Sequence, residues 1–181
     1  MAPRRASILG GVLRGLTRFV GSVVLLLLLA ASLGAVWIAI RIARYEQTGD
    51  PFSGPTEEDT AGNGCIMRLA PVPLFYHPHR ELVWRYAAES SRITHGAAEC
   101  LDACRLLGDK LHRALAGQSK EEVLFGTPLL PLASPRIQAI AEGSYASKAE
   151  DEVLGTGYVV NSLEAALWSF MKENDFDSVV L

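Results

Sequence analysis

Two short stretches of this 181-residue chain combine small, polar and cationic residues in a pattern that suits ligand binding. The first, AGNGCIMR, covers residues 61–68, and the second, SSRITHG, covers residues 90–96. Glycine lets the backbone approach a ligand closely, and Asn63 between two glycines offers an amide donor and an acceptor. Arg68 either holds the loop through a carbonyl or carboxylate, which we favour, or contacts phosphate with its guanidinium. The pattern indicates a loop that wraps a polar small molecule, and a simple turn is the alternative.

The other groups that could do chemistry do not form a metal or catalytic site by their spacing. Cys100 and Cys104 share one face of a predicted helix, but a structural zinc site needs four ligands. His77 and His79 supply only two nitrogens in a predicted exposed loop. The acids at 57–59 lie in a predicted flexible loop, where adjacent charges are usually solvated. We therefore assign no catalytic residue and no metal ligand.

Helices are expected to position these residues, because apolar residues recur at helical spacing and no β pattern of useful length appears. The pattern predicts helices over 79–91, 97–115 and 160–171, and hence an all-α domain. One stripe of the helix over 97–115 is expected to be buried, with its charged residues on other faces and His112 solvated. Glu164 is likewise expected at the surface.

Turn and capping residues predict where several helices begin and end. Ser119 begins a capping box, Ser134 and Pro135 form an N-cap and N1 pair, and Gly117 is expected to end a helix as its C′ residue. Proline lacks the donor N–H that continues a helix. The prolines at 71 and 73 therefore predict a break after a short helix at 67–70.

The N-terminal part of the chain reads differently, because the run FVGSVVLLLLLAASLGAVWIAI carries no charge. A membrane-spanning helix needs roughly 20 apolar residues, and four arginines before the run favour a cytoplasmic N-terminus. We predict a basic segment at 1–18, a hydrophobic, candidate transmembrane helix at 19–41, a linker-like loop at 42–62 and a helical domain at 63–181. A signal peptide, a buried core helix and a non-native leader are the alternatives.

Composition excludes two classes of protein. The net charge is −3, whereas a nucleic-acid-binding domain is usually clearly basic. The three cysteines are an odd and sparse set, which does not suggest a disulfide framework.

The motifs AGNGCIMRLAPVPLFY, SSRITHG and GTGYVVNSLEAALWSF together resemble the middle and late part of the ADP-ribosylglycohydrolase family. The resemblance runs from about residue 44 to residue 181. It implies an all-α fold, a binuclear Mg²⁺ or Mn²⁺ centre, and hydrolysis of the N-glycosidic bond between ADP-ribose and a protein side chain. It also implies ADP-ribose or an ADP-ribosylated protein as partner and a mostly cytoplasmic location, which conflicts with a membrane anchor.

The resemblance assigns substrate contacts to the residues that match its motifs. Asn63 and Gly64 match loop residues that contact ADP-ribose, and Cys65 stands where the family often has a small residue. His95 matches a histidine that donates to the ribose or orders the site, with a local helix cap as the alternative. Tyr158 matches a tyrosine that lines the ribose pocket, and an ordinary core tyrosine is the alternative.

The chain departs from the family at both acidic motifs that supply the metal ligands. No Thr-Asp-Asp motif precedes residue 61, and the chain reads DFDSVVL where the family continues towards Asp-x-Asp-Thr. Asp175 and Asp177 are interpreted as a helix cap. Because Mg²⁺ needs carboxylate oxygens in near-octahedral geometry, we expect a fragment that is inactive alone. The alternative is a non-catalytic ADP-ribose-binding or membrane-tethered interaction module.

Overall fold

The computed structural model describes residues 4–129 and 131–175, with the backbone alone for residues 4–18, 37, 41 and 44. The chain divides into two compact units, of which the first ends at Asp50 and the second begins at Pro51. The first unit contains α1, Arg4–Thr48. The basic segment expected at 1–18 is thus helical from Arg4, and the hydrophobic helix expected at 19–41 is part of a longer helix.

Within the described residues, α1 is the helix whose length and composition would let it cross a membrane. The segment Phe19–Thr48 contains a window with a mean hydropathy of 2.8, and 0% of that window is buried. Leu26 and Leu33, for example, are 65% and 70% exposed.

The second unit is all-α, as the periodicity and the family resemblance predict. Its α-helices are α2 Gly64–Met67, α3 Pro71–Tyr76, α4 Arg80–Arg92, α5 Ala98–Leu115, α6 Lys120–Phe125, α7 Pro135–Ala141 and α8 Val159–Lys172. Short 3-10 helices cover Glu58–Thr60, Ser144–Ser147 and Glu150–Glu152. The described ranges contain no β-strand, only an isolated antiparallel bridge between Gly62 and Tyr158.

Helix α5 is the centre of this unit and contacts α2, α3, α4, α6, α7 and α8. Because it is surrounded, it buries charged residues. Of the apolar stripe expected on it, the structure buries Cys104, leaves Leu101, Leu107 and Leu111 half-buried and leaves Leu115 42% exposed. Asp102, Asp109 and Lys110 are only 1%, 2% and 3% exposed, and His112 is 8% exposed. The prediction that His112 is solvated was wrong, since an amphipathic pattern does not reveal how many neighbours cover the polar side of a helix.

The buried charges of Asp109 and Lys110 have specific partners, whereas His112 Nδ1 has no hydrogen-bond partner among the described residues. Asp109 accepts from Arg80 Nε at 2.5 Å and from Arg113 Nε at 3.1 Å. Lys110 donates to the carbonyl oxygens of Val123 and Leu124, and burial lowers its pKa to about 8. These contacts supply the hydrogen bonds that a buried charge requires.

Glu164 of α8 is also buried, at 8% exposure, so the prediction of a surface acid was wrong. Its carboxylate lies 2.8 Å from Lys148 Nζ. The 3-10 helix Ser144–Ser147 packs against α8 and covers that face. A short element that the sequence pattern did not predict thus determines the burial of this acid.

The predicted capping residues are confirmed. Ser119 forms the capping box with Glu122, Ser134 caps α7 ahead of Pro135, and Gly117 has the positive φ of 74° expected after the end of α5. The expected short helix lies three residues earlier, as α2 at Gly64–Met67, and the chain breaks before the prolines as expected, but a new helix, α3, then begins at Pro71. Proline is tolerated in the first turn because that N–H has no intrahelical partner.

The segment at 42–62, expected to be linker-like, consists of the end of α1 in the first unit and a loop whose residues 51–62 belong to the second unit. Gly54 donates from its backbone N–H to the Arg92 carbonyl at 2.9 Å, and Gly96 donates to the Pro55 carbonyl at 2.8 Å. A Cβ at Gly54 would lie 2.5 Å from the backbone nitrogen of His95. Glycine is therefore required where this loop crosses the corner between α4 and α5.

The helix cap expected at Asp175 and Asp177 concerns residues 176–181, which lie outside the described ranges.

Candidate functional site

Backbone hydrogen bonds join the Gly-rich loop before α2 to the segment before α8. Asn63 donates from its backbone N–H to the Gly157 carbonyl at 2.9 Å, and Val159 donates to the Ala61 carbonyl at 2.9 Å. These two bonds flank the bridge between Gly62 and Tyr158. The first and third sequence motifs therefore form one surface.

The imidazole ring of His95 brings the second motif to the same place. A Cβ built on Gly62 would lie 3.3 Å from His95 Nε2, and one built on Gly64 would lie 3.0 Å from His95 Cε1. Both distances are shorter than ordinary van der Waals contact. The two glycines therefore let the half-buried His95 ring lie directly against the loop.

Asn63 is held by its side chain as well as by its backbone. Its Nδ2 donates to Ser162 Oγ at 2.8 Å, and Ser162 Oγ donates to the Thr156 carbonyl at 2.5 Å. Among the described residues, no hydrogen bond is made to the amide oxygen of Asn63. That oxygen and the second N–H of Nδ2 are the polar groups which the side chain can offer to a ligand.

Arg68 reaches His95 through Thr94. Arg68 Nη2 donates to the Ser90 carbonyl at 2.8 Å and to Thr94 Oγ1 at 2.7 Å. Thr94 Oγ1 in turn lies 2.8 Å from His95 Nδ1. The guanidinium thus holds the end of α4 and orients the hydroxyl beside the imidazole, which is the loop-holding role favoured from the sequence.

Tyr158 contacts two charged residues through its hydroxyl. The hydroxyl lies 2.5 Å from Glu99 Oε2 and 2.7 Å from Arg136 Nη1. Arg136 Nη1 also lies 3.0 Å from Glu99 Oε1. Burial first, and then the Glu99 carboxylate, raise the pKa of the Tyr158 phenol, so its hydroxyl keeps its proton at neutral pH.

The side chain of Cys65 lies in the core and is 0% exposed. Its thiol is 3.6 Å from the Gly62 carbonyl, and the Cys100 thiol is 3.5 Å from the same oxygen. All three cysteines are free and buried. Cys65 can therefore reach a ligand on the loop only through its backbone. Its thiol packs against the buried side of the loop, at the Gly62 carbonyl.

The structure thus assembles the predicted residues Asn63, Gly64, His95 and Tyr158 on one surface, with Arg68 behind His95 and Cys65 beneath the loop. Sequence reasoning missed Ser162, Thr94, Glu99 and Arg136, which hold these side chains in place. Most of their partners lie far away in the chain, as with Glu99 and Tyr158 or Ser162 and Asn63, so no local signal in the sequence indicates them.

Comparison with known proteins shows the family of the chain. The model of the ADP-ribosylglycohydrolase family matches residues 12–181, and the chain belongs to that family. The match begins inside α1, earlier than the resemblance from about residue 44.

Two curated relatives carry a more specific name. The chain is similar to the ADP-ribosylarginine hydrolase Tri1 of Pseudomonas putida (strain GB-1), with 39% identity over 133 residues, which is 74% of this chain and 35% of the relative. It is also similar to the ADP-ribosylarginine hydrolase Tri1 of Serratia proteamaculans (strain 568), with 33% identity over 140 residues, which is 77% of this chain and 38% of the relative. The chain therefore spans little more than a third of the length of these relatives.

The described residues do not fit the two-metal centre that the resemblance implies. Mg²⁺ binds oxygen ligands in near-octahedral geometry, usually with one or two carboxylates. Within the ranges that the structure describes, no group of three or more His, Cys, Asp or Glu side chains could hold a metal ion. Glu99, the carboxylate at this surface, is bound by Tyr158 and Arg136.

Proposed function

We propose that the second unit of this chain binds the ADP-ribose group of proteins ADP-ribosylated on arginine. The observation that supports this most is the meeting of three motifs, distant in sequence, at the loop around Asn63. The relatives' name, ADP-ribosylarginine hydrolase, supports the choice of arginine-linked ADP-ribose.

The chemistry of the surface suits a nucleotide sugar. ADP-ribose carries several hydroxyl groups that need fixed hydrogen-bond partners, and the amide oxygen of Asn63 and the imidazole of His95 can supply them. The side-chain-free backbone at Gly62 and Gly64 permits the close approach that a ribose or pyrophosphate requires. The aromatic ring of Tyr158 adds an apolar face beside the same loop.

We further propose that this chain on its own binds and does not hydrolyse. Hydrolysis of a glycosidic bond requires a metal-activated water or a pair of free carboxylates across the bond. The described part of the chain brings together no such metal group. The Glu99 carboxylate already accepts hydrogen bonds from the Tyr158 hydroxyl and the Arg136 guanidinium.

Calorimetric titration of the full chain with ADP-ribose tests the binding proposal. We expect a dissociation constant in the millimolar range or tighter, and loss of binding in Asn63→Ala. The matched control is Gly155→Ala, because a Cβ at Gly155 meets no atom within 4 Å. No detectable binding by the wild type, or unchanged binding in Asn63→Ala, would contradict the proposal.

A release assay tests the absence of hydrolysis. The substrate is a protein ADP-ribosylated on arginine, incubated with the full chain and Mn²⁺. We expect no release above the protein-free control. Turnover at a rate typical of enzymes, on the order of 1 s⁻¹ or faster, would show that the chain assembles a complete catalytic site.

We also propose that α1 anchors the chain in a membrane through residues 19–41. The supporting observation is its exposed, highly apolar window. Alkaline carbonate extraction of cell membranes tests this, since an integral anchor stays with the membrane pellet. Recovery of the chain in the supernatant would contradict the anchor and would favour the cytoplasmic location that the family resemblance implies.

A further inference from the structure

Three residues from three helical elements meet at the Tyr158 hydroxyl. Glu99 lies in the first turn of α5, Arg136 lies in the first turn of α7, and Tyr158 is the N-cap residue of α8. The Glu99 side chain is 12% exposed, whereas the Arg136 side chain is 64% exposed. The phenol oxygen thus contacts one buried carboxylate and one exposed guanidinium.

The donors and acceptors in this cluster can be assigned without ambiguity. A guanidinium has no acceptor, so the Tyr158 oxygen accepts from Arg136 Nη1. An ionised carboxylate has no donor, so the phenol O–H donates its one hydrogen bond to Glu99 Oε2. The hydroxyl therefore has no proton left to donate to a ligand.

We propose that Glu99 and Arg136 are positioning residues that fix the Tyr158 ring, which the family resemblance places against the ribose, by holding its hydroxyl. This rests on the proposed ADP-ribose site. The backbone of Tyr158 is fixed by its bridge to Gly62, and the hydroxyl contacts fix the opposite end of the side chain. Fixing a contact residue before binding reduces the ordering cost of association.

A set of binding measurements separates this role from direct contact. Tyr158→Phe removes both hydrogen bonds of the hydroxyl, and Glu99→Gln weakens one of them by replacing a charged acceptor with a neutral amide, while both leave the ring. We therefore expect ADP-ribose binding to weaken about two- to tenfold in Tyr158→Phe, the effect of one or two net hydrogen bonds, and by no more than that in Glu99→Gln. The double variant is expected to lose no more than Tyr158→Phe, since residues that act through one another are non-additive. Tyr158→Leu removes the ring and is expected to lose clearly more than Tyr158→Phe.

Two binding results would overturn the inference. If Tyr158→Phe loses as much as Tyr158→Leu, the hydroxyl itself contacts the ligand. If the loss in Glu99→Gln adds in full to that in Tyr158→Phe, Glu99 acts independently of the tyrosine. Absence of binding in the wild type would instead contradict the proposed function.

A second measurement tests the clamp without any ligand. Tyrosine ring signals of the full chain, labelled with ¹³C at tyrosine, are compared between wild type and the variants Glu99→Gln and Arg136→Met. We expect the Tyr158 signals to shift or broaden as the ring becomes mobile, with those of the buried Tyr145 unchanged. Unaltered Tyr158 signals in both variants would show that Glu99 and Arg136 do not position this ring.

Discussion

Asn63 donates from Nδ2 to the hydroxyl oxygen of Ser162 across 2.8 Å, although the two residues lie 99 positions apart in the chain. This bond fixes the orientation of the amide, so that its oxygen stays free for a ligand. Ser162 is fixed in turn by its bond to the Thr156 carbonyl. The conformation of the proposed ligand-binding loop therefore depends on the start of α8.

We expect Ser162→Ala to weaken ADP-ribose binding about two- to tenfold, as loss of one net hydrogen bond does. The reason is that the Asn63 amide can then rotate and present its nitrogen. Calorimetric titration of Ser162→Ala, Asn63→Ala and the double variant measures the coupling between the two residues. Fully additive losses would show that Ser162 does not act through Asn63.

Thr94→Val is expected to change the tautomer of His95. The Thr94 oxygen accepts from Arg68, and its own proton has an acceptor at His95 Nδ1, which would place the ring proton on Nε2. Side-chain ¹⁵N spectra of histidine distinguish the two tautomers directly. We expect the Nε2-protonated form in the wild type and a mixture in Thr94→Val, and an Nδ1-protonated wild type would contradict the assignment.

The sequence predicted the all-α fold and the place of the loop because both depend on local signals. Each of these signals determines the conformation of residues close to it in the chain. They are the helical periodicity, the caps at Ser119 and Ser134, and the positive φ of Gly117. The burial of Asp109, His112 and Glu164 could not be predicted in this way. Their burial depends on which helices cover α5 and α8, and this packing is set by residues far away in the chain. The same limit explains why Arg136 and Ser162 were missed.

Gly54→Ala is expected to destabilise the second unit by about 1–3 kcal/mol or more, the usual effect of overpacking. A Cβ there would lie 2.5 Å from His95 N and 2.7 Å from the Arg92 carbonyl, and backbone atoms cannot move aside easily. Urea unfolding followed by tryptophan fluorescence measures the free energy of unfolding. Gly155→Ala is the matched control and should change it by less than about 0.5 kcal/mol. Equal stability of the two variants would contradict the close packing at Gly54.

Asp109→Ala is expected to lower the free energy of unfolding by about 3–5 kcal/mol, because removing one partner leaves buried charge unpaired. Arg80 and Arg113 both donate to this carboxylate and also to the Thr127 carbonyl. The same unfolding measurement on the exposed Glu150→Ala provides the control. A loss no larger than that of Glu150→Ala would show that the Asp109 cluster adds little to stability.

Stability should also fall on mild acidification because of His112. Burial first, and then the charge of His77, lower the pKa of His112 from its ordinary 6.5. Below pH 6.5 the unfolded chain binds a proton there and the folded chain does not, so the folded state loses stability as pH falls towards the lower folded pKa. Asp109 opposes this shift, and Arg80 and Arg113 add to it.

His112→Leu should therefore flatten the dependence of the unfolding free energy on pH between about 5 and 7. Substitution of the exposed His79 by Gln provides the control and should leave the slope as in the wild type. Equal slopes in the wild type and His112→Leu would contradict the account of this histidine.

The most direct test of an ADP-ribose site is to map the binding surface by NMR on the full, isotope-labelled chain in detergent micelles. On titration with ADP-ribose, the account predicts that the largest backbone shift changes occur at residues 61–64, 94–96 and 157–159, with saturation at one common affinity. Changes confined to other parts of the second unit, or no changes at millimolar ligand, would contradict it.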